Sequence, residues 1–135
     1  VIFIDADLRD DIFIAKYRVE KYLKGVDNYL TEELDYNDII CLTNKDNFKV
    51  IFTGMSDYTA HEEINIEKIK ILFKKLKEDF DWIVVLTDDS GKIASMCDET
   101  IVMLKQSDYS EMSSEVKVKQ LDEAGCYVLG VVVNE

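Results

Sequence analysis

Five short runs along the chain are apolar at nearly every position: residues 1–5 (VIFID), 48–53 (FKVIFT), 82–87 (WIVVLT), 100–105 (TIVMLK) and 127–133 (YVLGVVV). They are rich in Val and Ile and lack the in-and-out alternation of a half-wet strand. Such runs predict strands covered on both faces, as in a parallel sheet. Between them the pattern changes to a helical period. Residues 62–79 place Ile66, Ile69, Leu72, Phe73 and Leu76 on one stripe. Glu62 and Glu63 lead that stripe and Lys74, Lys75 and Lys77 close it, as the helix dipole favours. A second helix is predicted over about 109–124, where Met112, Val116, Leu121 and Ala124 recur and Gly125 stands where a terminating glycine belongs. Residues 12–24 and 27–40 read as shorter helices. The order predicts an α/β fold, a mainly parallel sheet flanked by helices, in a single domain over residues 1–135.

Length and charge narrow the picture. The chain has 135 residues, 47% of them hydrophobic, enough for a real core and too apolar for disorder. The 28 Asp and Glu outnumber the 16 Lys and Arg, a net charge of −12. That balance argues against a general nucleic-acid or anionic-membrane surface, which needs clustered cations. No run approaches the length of a membrane span, and the acidic start is unlike a signal peptide. Cys41, Cys97 and Cys126 are odd in number and have no C-x-x-C spacing, so they read as reduced thiols of a cytoplasmic protein. A strand at the very start, without an initial Met, gives the expectation of a piece of something longer.

Ligands of open α/β sheets bind at the carboxyl ends of the strands, so the chemistry is sought there. The first strand runs into Asp5-Ala6-Asp7-Leu8-Arg9. Alternation puts Asp5 and Asp7 on one side of an extended segment, a pair of oxygen donors suited to Mg²⁺, which uses one or two carboxylates with waters and phosphate oxygens. Arg9 could hold a phosphate or pair with an acid. The third run leads into Asp88, Asp89 and a Ser90-Gly91-Lys92 turn, but the full GxxxxGK[ST] phosphate loop is absent. Asn134, at the end of the last run, carries both a donor and an acceptor for a purine edge. His61, the single histidine, has no nucleophile partner at a known spacing and reads as exposed, as do Tyr109 and Ser110.

Taken in order, these pieces resemble a family. VIFIDADLR at 1–9 resembles the D-x-D-x-R motif of bacterial tyrosine kinases, members of the MinD/ParA-like P-loop ATPases that drive capsule and exopolysaccharide assembly. The similarity continues through GVDNYLTEELDYNDII at 25–40, FKVIFTG at 48–54, INIEKIKILFKKLKEDFDWIVV at 64–85 and LDEAGCYVLGVVVNE at 121–135. The resemblance implies a P-loop NTPase-like fold and Mg·ATP as cofactor. It assigns Asp5 and Asp7 to Mg²⁺ and to activation of the attacking hydroxyl, Arg9 to the same motif, and Asn134 to the adenine. It implies a protein partner, either a membrane-embedded polysaccharide co-polymerase or a kinase subunit, with homo-oligomers and a place at the inner face of the membrane.

The chain departs from that pattern in two places that matter. No Walker A loop occurs in these residues, and the resemblance places that loop, with its own internal strand, ahead of the first run. The chain then corresponds to the C-terminal part of such a domain, with sheet edges left open unless another strand fills the gap. The Walker B aspartate is also missing: Leu86 stands where the family has Asp, with Asp88 two residues on. Residues 56–63 further lack the family's prolines. Phosphoryl transfer without phosphate cradle, Lys and Walker B acid loses the positioning and electrostatics that supply its catalysis. Two readings stay open: a degenerate kinase relative serving as a binding or regulatory module, and a fragment of an active kinase or ATPase. A receiver-like phosphoacceptor domain would need Asp at the end of the second run, where Thr53-Gly54 stands instead.

Overall fold

A computed structural model describes residues 1–8, 16, 23–54, 64–88 and 90–135. The predicted helix at 12–24 lies almost wholly outside these residues. The chain divides into two compact units, Val1–Asp88 and Asp89–Glu135.

The first unit holds β1 (Ile2–Ala6), α1 (Val26–Thr31), β2 (Cys41–Leu42), β3 (Lys49–Ile51), α2 (Ile66–Asp79) and β4 (Ile83–Thr87). Its sheet has the order β2-β3-β1-β4. β1 pairs in parallel with β3, Ile4 level with Ile51, and with β4, Ile4 level with Val85. Having a neighbour on each side, β1 buries Ile2, Ile4, Asp5 and Ala6. Paired residues share a face of the sheet, so Ile2, Ile4, Ala6 and Ile51 line one apolar surface. α2 supplies the matching stripe, Ile69, Leu72, Phe73 and Leu76, all buried. Its N-cap is Asn65, whose side chain accepts from the Lys68 amide.

The predicted helix over 27–40 is broken up. α1 stops at Thr31, a 3-10 turn covers Tyr36–Asp38, and Cys41–Leu42 form a short strand antiparallel to β3. Local side chains account for the break. The Asp35 carboxylate accepts from the Asn37 amide and its own amide donates to Asp38, an acidic cap that starts a new turn instead of extending a helix.

The second unit holds β5 (Thr100–Lys105), α3 (Glu111–Glu123) and β6 (Val128–Asn134). β5 and β6 form a parallel two-stranded ribbon. Ser110 and Ser113 cap α3 reciprocally, each hydroxyl accepting from the other's amide. At its far end Gly125 has a φ of +92°, and the Gly125 and Cys126 amides donate to the Asp122 and Leu121 carbonyls. This is the glycine-terminated cap expected from the sequence. The core of this unit is Ala94, Val102, Leu121 and Cys126, with Leu104, Val128 and Val131 against it.

Candidate functional site

The carboxyl ends of β1, β3 and β4 bring Asp5, Asp7, Thr53, Gly54 and Thr87 to one end of the first unit's sheet. Asp5 is 1% exposed. Its Cα partner on β4 is Leu86, so an isobutyl group lies beside the carboxylate on the same face. β1 ends at Ala6, and Asp7 is half-buried in the turn that follows, its amide donating to Asp5 Oδ1 at 3.3 Å. The two acids are therefore joined through a turn, not presented side by side by a continuing strand. Arg9, Asp89 and His61 lie outside the described residues.

On the other side of β1, the chain leaves β3 through a contact that the sequence reading passed over. The Phe52 and Thr53 carbonyls accept from the Val26 and Asp27 amides, both at 2.8 Å. The first amides of α1 are thus already satisfied by the neighbouring strand exit. Two glycines permit this approach. A Cβ on Gly25 would lie 2.3 Å from the Gly54 nitrogen, and one on Gly54 would lie 1.6 Å from Asp27 Oδ1. Gly54 also has a φ of +98°, a conformation that favours glycine. Asp27 and Asn28 are buried in the junction. The Asp27 carboxylate accepts from the Asn28 amide at 2.7 Å, and Asn28 Oδ1 accepts from the Gly25 amide at 3.0 Å. A glycine-acid-amide run at 25–28 answered by Thr-Gly at 53–54 was the available signal. Only the fold brings its two halves together.

α1 is held at its other end by α2. Lys68 Nζ donates to the carbonyls of Tyr29, Leu30 and Glu32 at 3.2, 3.4 and 3.2 Å, groups a helix end leaves without internal partners. Burial, and then the charge of Asp35, push the Tyr29 phenol above its ordinary value. The hydroxyls of Thr53 and Thr87 are buried at the strand ends with no hydrogen-bond partner among the described residues. Polar groups of that kind are suited to a bound water or a ligand oxygen.

In the second unit, the Ser90-Gly91-Lys92 turn has a packing role. Gly91 has a φ of +78° and packs against the end of α3, where its Cβ would meet that of Ala124 at 2.9 Å. Asn134 ends β6, exposed and level with Lys105. The three cysteines are free, and burial raises the thiols of Cys41 and Cys126. Ser110 has a structural role as the α3 cap.

At the end of β1 the described residues place one buried and one half-buried carboxylate. Asp5 is buried with Leu86 beside it, and no group of three or more His, Cys, Asp or Glu among them converges as metal ligands would. No helix among them is long and apolar enough to cross a membrane.

No protein-family model matches the chain. Tyrosine-protein kinase CpsD of Streptococcus agalactiae is 26% identical to it over 140 residues, a match covering 99% of this chain and 61% of the relative. The chain is homologous to bacterial tyrosine kinases. It spans about three fifths of the length of the curated relatives it matches. The kinase domain of the Escherichia coli tyrosine kinase ETK superposes with a TM-score of 0.86 at 21% identity, covering 98% of this chain and 54% of that one. The Pyrococcus horikoshii septum-site protein MinD, solved with Mg-ADP, gives 0.72 at 19% identity, covering 98% and 56%. The fold is the P-loop NTPase-like α/β fold of bacterial tyrosine kinase domains and MinD-like ATPases.

Proposed function

We propose that this chain is a degenerate kinase-like module that binds or regulates a protein partner in capsule or exopolysaccharide assembly and does not transfer phosphate itself. One observation carries the reading: Leu86 is the Cα partner of Asp5. The resemblance puts an aspartate at that position, and a leucine has no lone pair for a Mg²⁺-bound water. By the same resemblance the partner is a membrane polysaccharide co-polymerase or a kinase subunit, met at the inner face of the membrane. An active enzyme is the second reading, favoured by the intact Asp5–Asp7 turn. There the residues from Val1 onward complete a longer chain, Asp5 and Asp7 engage Mg²⁺, and Arg9 and Asn134 contact the nucleotide.

Calorimetric titration of Mg·ATP and Mg·ADP separates the two. The degenerate module gives no magnesium-dependent heat at millimolar nucleotide, and Asp7→Asn behaves as the parent chain. Magnesium-dependent binding that Asp7→Asn abolishes would move the assignment to the enzyme. Leu86→Asp sharpens the test, since it places a second carboxylate level with Asp5 and is expected to produce measurable Mg²⁺ binding where the parent shows none.

A further inference from the structure

Three neighbouring strand ends of the first unit carry a threonine, an alanine and a threonine abreast. Ala6 closes β1, and its Cα partner on β4 is Thr87. Thr53 lies two positions past Ile51, as Ala6 lies two past Ile4, and Ile4 and Ile51 are Cα partners. Continued past β3, that register sets Thr53 level with Ala6. The row then shares the face of the sheet that carries Ile2, Ile4 and Ile51. Thr53 is 5% exposed and Ala6 2%. The hydroxyls of Thr53 and Thr87 are both removed from water, and neither has a hydrogen-bond partner among the described residues. Other threonines show the contrast. Thr31 donates to the Asp27 carbonyl at 2.9 Å, and Thr43 donates to the Phe48 carbonyl at 2.6 Å. A buried hydroxyl without a partner costs its desolvation, so two of them in one row point to an occupant.

We propose that this row holds two ordered waters, bonded to each other above the Ala6 methyl and to one threonine hydroxyl each. Neighbouring strands lie about 4.8 Å apart, so the two threonine Cα atoms stand roughly 10 Å apart. Three O–H···O links of about 2.8 Å cover the shorter span between the hydroxyls themselves. Ala6 provides the room, because it carries only a methyl where Ile2 and Ile4, the preceding residues on that face, carry full side chains. Charge and donor type select against other occupants. Asp5 adjoins Ala6 in the chain, and Asp27 donates its amide to the Thr53 carbonyl. Both acids are buried and disfavour an anion. Two hydroxyls with no carboxylate in the row are a poor donor set for a divalent metal. A neutral molecule of water's size, able both to donate and to accept, fits what is left. The inference does not depend on whether nucleotide binds.

Thr53→Val and Thr87→Val, each made in the whole chain, test this by sign. Valine keeps the shape of threonine and removes the hydroxyl. Where that hydroxyl holds a water, a hydrogen bond is lost, and the unfolding equilibrium constant read by urea titration is expected to rise about fivefold in each variant. Water-to-protein cross-relaxation in the NMR spectrum gives the second reading. The parent chain is expected to show a long-lived water at the Ala6 methyl, each valine variant to lose it, and Thr53→Ser to keep it. Valine variants that are as stable as the parent, or more stable, would show that the hydroxyls are dry and unpaired, and would overturn the proposal. So would a parent spectrum without the water signal, or a loss of stability in which that signal survives. Where one valine variant does not fold, the other variant and the parent spectrum decide.

Discussion

The two units use strands of the same composition and arrive at different degrees of burial. In the first, β1 has partners on both sides and an apolar stripe from α2 to match, and Ile2, Ile4 and Ala6 are all but removed from water. In the second, β5 and β6 have one partner each among the described residues, and the core forms on a single face with Leu121 of α3. The opposite face leaves Ile101, Met103, Leu129 and Val132 largely exposed. An apolar run therefore specifies that a strand wants cover without specifying what supplies it. The number of neighbours decides how much of the hydrophobic term is realised, because that term follows the area taken from water.

The comparison breaks first at the backbone junction of the first unit. Gly25→Ala drives a Cβ to within 2.4 Å of the Gly54 nitrogen and the Phe52 carbonyl, neither of which is a movable side-chain end. The expected loss is about 3 kcal/mol, read as a drop in the urea midpoint at unchanged slope. Truncating the two cores tests the contrast in burial directly. Leu72→Ala should cost about 3–4 kcal/mol and Leu121→Ala about 2 kcal/mol, since Leu72 is sealed and Leu121 lies beneath a one-sided ribbon. Equal losses would show that the second unit is covered as fully as the first.

Lys68→Met removes the donors that hold the Tyr29, Leu30 and Glu32 carbonyls, with an expected loss of about 1–2 kcal/mol by the same denaturation measurement. On the bare face of the second unit, Met103→Lys should change stability by less than about 0.5 kcal/mol, because Met103 is already mostly in water. A large loss there would mean that something covers this face in solution.

The smallest effect is a pH limb. Hydrogen bonds from Lys24 and then Asn28 hold the Glu32 carboxyl below its ordinary value. Its contribution is therefore complete above the free-glutamate pKa of about 4.3 and is lost as pH falls through the lower folded value. Lys24→Met is expected to flatten this acid limb of the melting temperature and to leave the neutral range almost unchanged. The ion pair is exposed, which keeps the effect small.

Much of the architecture was legible in the residue pattern. The runs at 100–105, 82–87 and 127–133 become β5, β4 and β6 with shifts of no more than a residue or two, and the stripe from Ile69 to Leu76 is the buried face of α2. Gly125 could be read as a helix terminator because a left-handed cap is a local property of the chain. The stretch from 27 to 40 was misread as one helix, because Asp35 and Asp38 bond their own neighbouring backbone in place of a helical ladder. The candidate site was half legible. Asp5 could be picked out from its place at a strand end, but the turn that joins it to Asp7 could not, nor could the junction of Gly25, Asp27 and Asn28 with Thr53 and Gly54.

The sequence alone determined which segments become strands and helices, where α3 begins and ends, and which acids stand at the end of β1. These depend on period, capping and residue type, all of which act within a few positions of the chain. The tertiary structure alone decided that Leu86 lies level with Asp5 and that two glycines 29 positions apart meet. Those outcomes depend on strand order and register, and register between segments tens of residues apart is set by how the whole unit packs.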